Sequence, residues 1–439
     1  MAYDIHDYAR QYEEAGAQVR NSKISARNKD LILRFRDACL LQQTCHKVRL
    51  IRVMGVLLIA ARALEKDFDT ATRDDLTRLL AYWMGRQPSY SPETLGTYKS
   101  IIKRFYTWLA NPNDFGPRAA APPLVSWIIT HVKTKDKRRL QRGELLTPGD
   151  VERVITAGRS PRDKALIAVL WETGGRISEI GNREINDVTP AEVGYTIDVR
   201  GKTGARTPLV VSSAPLLTQW LNNHPYKTDP HAPLWVHAQS TTAKLLMYPA
   251  IRKLIKELFQ QVGITKRVYP HLFRHSRATY CLATGLMTEA QAKAYFGWTP
   301  NSDQLATYAH LLASDANSAI LRENNLIAKK EEHDELRAAK CYRCGELNAS
   351  LADYCAKCGA VLDLKRAYEH QQLHDLKDDL FAKMFKLLVE KGMIDEAARE
   401  IHDANLGSTL KRLAQHVSGE RNIVDVNQNP TAVNEKNVA

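Results

Sequence analysis

The chain has 439 residues, 44% of them hydrophobic and 25% charged, proportions that argue against wholesale disorder and against a fibrous repeat. Lys and Arg number 62 against 49 Asp and Glu, a formal net charge of +13, which points to a polyanionic partner, nucleic acid first. The longest apolar run, Val53 to Ala61, falls far short of the roughly 20 residues of a membrane span. The N-terminus also lacks a basic-then-apolar signal layout, so the sequence predicts a cytoplasmic, nucleoid-associated protein with no membrane partner.

Residues 1–21 read as an N-terminal extension. From Ser22 to Ala110 apolar residues recur at three-and-four spacing (Leu31, Phe35, Ala38, Leu41; Ile101, Ile102, Phe105, Trp108, Leu109), the pattern of helices with one buried face. Ser91-Pro92-Glu93-Thr94 supplies a helix start, with Ser91 as N-cap and Pro92 at the first helical position. The stretch 22–115 is therefore expected to form an all-α domain. Four prolines and a glycine lie between Asn111 and Pro123, and a basic string follows from His131 to Arg142. Residues 116–142 thus read as an interdomain linker. Its Lys133, Lys135, Lys137, Arg138, Arg139 and Arg142 are candidate DNA phosphate contacts, a solvated charged run being the plainer alternative.

A second domain, 143–330, is expected to open at Leu146-Thr147-Pro148-Gly149-Asp150, a helix-capping pattern. A buried helix should follow around Ala165 to Glu172. Gly194 to Arg200 and Arg206 to Val211 alternate like the two strands of a hairpin, and helices resume near Thr242 and run to Lys330. Gly201-Lys202-Thr203 only superficially resembles a phosphate-binding P-loop: the glycine required five places earlier is Thr196, and a strand, not a helix, follows. Residues 1–360 hold 51 Lys and Arg against 36 Asp and Glu, so the polyanion should contact that part of the chain.

Cys341-Tyr-Arg-Cys344-Gly and Cys355-Ala-Lys-Cys358-Gly form two knuckles close enough to make one tetrahedral thiolate site, which resembles a zinc ribbon over 338–362. Four thiolates leave no open position for water, so the Zn2+ is expected to be structural; rubredoxin-like iron and a redox dithiol are the alternatives. Cys39, Cys45 and Cys281 are scattered, a usage that suits a reducing compartment. Beyond the ribbon, 363–418 reads as a helical segment, with Leu373, Leu376, Leu380, Met384 and Leu387 on one stripe. Residues 419–439 are Asn-rich and expected to be disordered.

Three segments of the second domain carry the chemistry: Glu172-Thr-Gly-Gly-Arg176-Ile-Ser-Glu179-Ile, then His271-Leu-Phe-Arg274-His275, then Gly297-Trp298 with Tyr308 further on. Their order and spacing resemble the tyrosine recombinase (phage-type integrase) family over roughly residues 22–330. The wording Tyr295-Phe-Gly-Trp-Thr-Pro-Asn-Ser and Leu305-Ala-Thr-Tyr-Ala-His310 is similar to integrases of archaeal mobile elements. The resemblance implies a multidomain fold: an all-α core-binding domain and a mixed α/β catalytic domain, here followed by a zinc ribbon and helical tail.

It also implies a site-specific recombinase that cleaves and rejoins DNA through a 3′-phosphotyrosyl link, using neither nucleotide nor catalytic metal. Tyr308 would be the nucleophile, Arg176 and Arg274 the guanidiniums that grip the non-bridging phosphate oxygens, and His271 the general acid/base. Lys202, in the hairpin turn, would protonate the leaving 5′-oxygen. Trp298 stands where the family has His or Trp and would donate its N–H or buttress the tyrosine, while Glu179 and His275 take supporting positions. The interval from Trp298 to Tyr308 is slightly longer than the common family spacing, so delivery of Tyr308 in cis or in trans stays open. The expected assembly is a tetramer in synapsis and a monomer or dimer off DNA, with an accessory protein as a possible partner of the ribbon or tail helix. The other readings are a catalytically silent DNA-binding regulator on the same fold and a type IB topoisomerase-like relaxing enzyme.

Overall fold

Helix caps set the rhythm of the N-terminal region. Ser25, Thr72 and Ser91 each accept a backbone N–H three residues on, from Asn28, Asp75 and Thr94, and so satisfy donors that a helix start leaves without partners. In the computed structural model, which describes residues 3–116, 118–133, 140–201, 204–237, 242–299, 302, 321, 324, 336–350 and 352–396, these caps open three of the first five helices. The helices are α1 (Tyr8–Arg20), α2 (Ala26–Leu41), α3 (Lys47–Leu64), α4 (Arg73–Gly85) and α5 (Pro92–Ala110). Their inward faces close one core around Leu31, Phe35, Leu57, Phe68, Trp83 and Phe105. Phe35 and Phe105 meet edge to face at 5.3 Å, a favoured geometry for aromatic quadrupoles. The chain leaves this core across α6 (Pro123–Ser126), where Lys103 Nζ caps the carbonyls of Ser126 and Ile128 at 3.1 Å.

A second core gathers Leu166, Leu170, Ile197, Trp235, Phe273 and Phe296. It is built from α7 (Pro148–Ala157), α8 (Pro161–Thr173), the short α9 (Ile177–Gly181), α10 (Ala214–Asn222), α11 (Tyr248–Gln261), α12 (Pro270–Ala283) and α13 (Glu289–Phe296), beside a small antiparallel sheet. Thr147 starts α7 with a capping box closed by Asp150, and α8 is buried nearly all round from Ala165 to Thr173. The first twenty residues reach both cores: Tyr12 and Val19 join the first, Ile5 the second.

The strands are β1 (Val188–Pro190), β2 (Tyr195–Ile197), β3 (Val199–Gly201), β4 (Gly204–Arg206) and β5 (Leu209–Val210). Tyr195 pairs with Val210 and Thr196 with Leu209; Val199 pairs with Arg206 and Gly201 with Gly204. One register runs through both pairs, so β2–β3 and β4–β5 are a single hairpin, with β1 added beside β2. The ladder is interrupted at Thr207 and Pro208, the proline having no N–H to give to it. The helices that the sequence places from Thr242 begin later, at Tyr248 with Pro249 in the first turn, because Leu245 first bridges to Val236.

The second of two compact units begins at Ala339. It holds β6 (Ala339–Lys340) paired with β7 (Leu347–Asn348), and α14 (Leu364–Glu390). Among the described residues no helix is long and apolar enough to cross a membrane.

One buried carboxylate locks the second core. Glu172, at the end of α8, accepts the N–H groups of Val211, Ser212 and Ser213 at 2.8–2.9 Å and the Ser213 hydroxyl at 2.6 Å. It thereby fixes the entry to α10 and the exit from α8, where Gly174 turns the chain at φ +51°. Glu172→Ala strips the acceptor from four donors at once and is expected to cost about 3 kcal/mol or more. Urea unfolding checks this, and a loss under about 1 kcal/mol would contradict it.

Candidate active site at the α8–α9 turn

The turn after α8 exists to bring Arg176 to one spot. A Cβ on Gly174 would stand 2.6 Å from Cε1 of Phe296, so at this positive φ only glycine lets the turn pack against the end of α13. Arg176 is then the N-cap of α9. Its backbone N–H donates to Glu179 Oε2 at 3.0 Å, and its guanidinium donates to Glu179 Oε1. Glu179 is 3% exposed. Burial alone would raise its pKa, but the Arg176 backbone N–H, the Arg176 guanidinium and the charge of Arg206 outweigh it and hold the carboxyl below its ordinary range. It is therefore a buried anion that fixes a neighbouring cation.

Arg206, on β4, is the residue that reading the sequence misses. Its Nη2 pairs with Glu179 Oε2 at 3.0 Å, and its Nη1 donates to the Tyr295 carbonyl at 2.7 Å. One guanidinium thus ties the hairpin, α9 and α13 together. The hairpin crosses so close to α9 that a Cβ on Gly201 would lie 2.5 Å from Glu179 Oε1. The available signal was an arginine on a hairpin strand running back toward a segment with its own Arg-x-x-Glu pair.

Arg274 sits on α12 with 2% exposure. Its Nη1 donates to the Gly174 carbonyl at 3.2 Å and its Nη2 to the Phe296 carbonyl at 2.6 Å. Its guanidinium lies 5.6 Å from the Phe296 ring centroid and 5.7 Å from that of Trp298, within cation–π range. Two carbonyls and two rings set the plane of a permanent charge. Trp298 is 7% exposed and stacks on Phe296 with centroids 5.3 Å apart.

His271 and His275, one turn apart on α12, meet edge to face at 4.5 Å. The His271 residue is exposed at the surface, yet its pKa is pushed down to about 4, first by desolvation in the packed site and then by His275, Arg274 and Arg176. The shift runs toward the neutral imidazole, the form that predominates at pH 7. His275 is also lowered, by burial and by Arg274.

The structure thus brings together Arg176, Glu179, His271, Arg274, His275 and Trp298. Lys202 and Tyr308 lie outside the described residues, Lys202 in the two-residue gap between the paired Gly201 and Gly204. Of the basic linker, Lys133 and Arg142 are exposed, while Lys135, Lys137, Arg138 and Arg139 lie outside the described residues.

In the second unit, the Sγ atoms of Cys341, Cys344, Cys355 and Cys358 all lie within 4.8 Å of one another. Cys341 and Cys358 are 3.6 Å apart, Cys344 and Cys355 3.5 Å. Gly345 and Gly359 turn each knuckle at φ +75° and +69°, and each backbone N–H bonds back to the first cysteine carbonyl at 2.9 Å. Asn348, 2% exposed, donates to Cys355 Sγ and accepts from the Ala356 N–H, stitching the knuckles together. This set of thiols could hold a metal ion.

Residues 144–314 match the phage integrase family. The chain is 33% identical over 226 residues to the tyrosine recombinase XerA of Pyrococcus furiosus, covering 52% of this chain and 72% of that protein. It is 26% identical over 244 residues to the tyrosine recombinase XerC of Corynebacterium efficiens, covering 54% and 76%. Its fold is similar to that of the site-specific recombinase XerH, solved as a post-cleavage complex on palindromic difH DNA, with a TM-score of 0.50 and 17% identity over 74% of this chain and all of the other. The chain belongs to the tyrosine recombinase family, and it is a tyrosine recombinase enzyme.

The His271 shift fixes the sign of a pH effect. A histidine lowered below its unfolded value of about 6.5 binds fewer protons folded than unfolded, so its contribution to stability is present above pH 6.5 and is lost as pH falls toward the folded pKa of about 4. NMR titration of the His271 ring should give a midpoint below 6.5, and Arg176→Gln should raise it. A midpoint at or above 6.5 in the free protein would contradict the reading.

Proposed function

We propose that this recombinase cuts and rejoins DNA at specific sites with the residues gathered at the α8–α9 turn. The observation that carries the proposal is the convergence of Arg176, Arg274 and His271 on one patch, where both arginines lower the His271 pKa. In the step we infer, the Tyr308 phenolic oxygen attacks the scissile phosphorus and its proton passes to His271. A phenol with pKa about 10 needs such an acceptor at neutral pH, and an imidazole free of its proton is able to take it. The bond to the 5′-oxygen breaks as the 3′-phosphotyrosyl bond forms, and Lys202 protonates the departing oxygen.

Arg176 and Arg274 neutralise the charge that grows on the non-bridging oxygens, while Glu179 and His275 hold them and the α12 turn in place. Trp298 supplies packing or an N–H beside the phosphate. One phosphodiester replaces another, so the exchange is close to isoenergetic and calls for no nucleotide. The 5′-hydroxyl of a partner strand then attacks the phosphotyrosine and reverses the sequence. In this reading four protomers exchange two duplexes, and the basic linker of Lys133, Lys135, Lys137, Arg138, Arg139 and Arg142 follows the DNA backbone.

The four-cysteine cluster we assign to structural Zn2+. Zinc–sulfur bonds of about 2.3 Å in a tetrahedron require sulfur pairs about 3.8 Å apart, near the 3.5 and 3.6 Å of the two short pairs. The metal would fold the ribbon, a unit whose own core is only a few residues, and takes no part in the reaction. We further propose that the protein acts in the cytoplasm on chromosomal or mobile-element DNA.

On a nicked site that prevents religation, the protein should form a covalent adduct, and Tyr308→Phe should abolish it. Arg176→Ala should slow adduct formation at least about 100-fold while changing DNA affinity by only about threefold, because its charge is aimed at the transition state. An adduct that persists in Tyr308→Phe, or equal losses of rate and affinity in Arg176→Ala, would contradict these roles. Purified protein should carry one zinc per chain by elemental analysis. Chelation should make the segment around Cys341–Cys358 sensitive to protease and leave adduct formation by the 1–338 unit within a few fold; an unchanged protease pattern would speak against a metal-folded ribbon.

A further inference from the structure

The helix after the cysteine cluster carries an apolar stripe in water. In α14, Leu376, Leu380, Met384 and Leu387 are 52–64% exposed, and Phe381 is 57% exposed. At about 100° per residue the four stripe residues fall within an arc of about 80°, a seam of the width that one partner helix covers. An exposed apolar seam flanked by charge marks an interaction surface.

The flanking charges identify the occupant. Asp379 and Lys383 stand along one edge of the stripe, and Asp375 and Lys386 lie further round the same side of the helix. All four are exposed, and Lys383 now pairs with Asp379 of its own helix at 2.6 Å. This arrangement is self-complementary under a two-fold axis, the operator of most homodimers. When two copies of α14 lie antiparallel, each flank faces the same flank of its copy, and residues whose numbers sum to about 763 stand opposite. Asp379 then faces Lys383 and Asp375 faces Lys386, Leu376 covers Leu387, Leu380 covers Met384, and Phe381 on the other flank meets its own copy. A parallel pair would instead turn this flank against Lys377, Phe381 and Leu388, where Lys383 and Lys386 meet no carboxylate.

We propose that α14 is a homodimerisation helix, pairing with α14 of a second copy of this chain in antiparallel register centred near Phe381. It would join protomers through a surface outside the catalytic unit, and its test needs no DNA, so it stands or falls separately from the recombinase reading.

Three measurements on the full-length protein decide it. First, Phe381→Cys should give a disulfide-linked dimer under mild oxidation, judged against wild type. Leu376→Cys should not, because its copies sit about 16 Å apart along the axis, whereas a mixture of Leu376→Cys and Leu387→Cys should cross-link as a heterodimer. Second, reversing Asp375 and Asp379 to Lys should weaken self-association at least tenfold by sedimentation. Third, adding Lys383→Asp and Lys386→Asp in the same chain should restore it. These substitutions lie on an exposed helix, and unchanged metal content and helicity would show that the variants fold. A monomer at tens of micromolar, as expected if residues 397–418 of the same chain cover the stripe, would overturn the proposal. So would self-cross-linking of Leu376→Cys, or an association indifferent to the charge reversal.

Discussion

The site depends on one buried anion between two arginines. Glu179 receives the backbone N–H and guanidinium of Arg176 from its own turn and the guanidinium of Arg206 from the hairpin. A buried carboxylate without such partners would cost several kcal/mol in desolvation, so the arginines are as necessary to Glu179 as it is to them. The constraint propagates outward. Arg206 also holds the Tyr295 carbonyl, the next carbonyl along the chain is a ligand of Arg274, and the other Arg274 carbonyl belongs to Gly174, two residues before Arg176. The loop of contacts closes on itself, which fixes two guanidiniums against one another without any bond between them.

That arrangement accounts for the state of His271. Desolvation lowers its pKa first, and His275, Arg274 and Arg176 add to it; the two arginines are the cations proposed to meet a phosphate diester. In the proposed function a bound phosphate would offset the part of this shift that Arg274 and Arg176 contribute.

What was legible in the sequence was mainly local. Ser91 and Thr147 announce helices because an N-cap is made within four residues, and Arg176 with Glu179 forms a pair at i, i+3. The two cysteine knuckles are likewise readable from spacing. The order of the three motif segments carried the family resemblance, but not the reason Arg274 is placed as it is: its two carbonyl acceptors lie 100 and 22 residues away, and no periodicity encodes them. Arg206 escaped for the same reason, being one end of a contact between a hairpin and a helix 27 residues earlier. The part of residues 1–21 in both cores was equally hidden, since Ile5, Tyr12 and Val19 are too sparse to form a recognisable stripe. Tyr308 is the opposite case, named by its place after Trp298 and not by any described contact.

The most direct test of this account is the charge on Glu179. Glu179→Gln preserves shape and one acceptor but removes the anion that holds Arg176 and Arg206. On a nicked DNA site under single-turnover conditions, the account predicts a fall of about 100-fold in the rate of covalent adduct formation, with affinity for the same DNA changed by no more than about threefold. A cleavage rate within about twofold of wild type, or a loss of rate matched by an equal loss of affinity, would contradict the claim that this buried carboxylate organises the site.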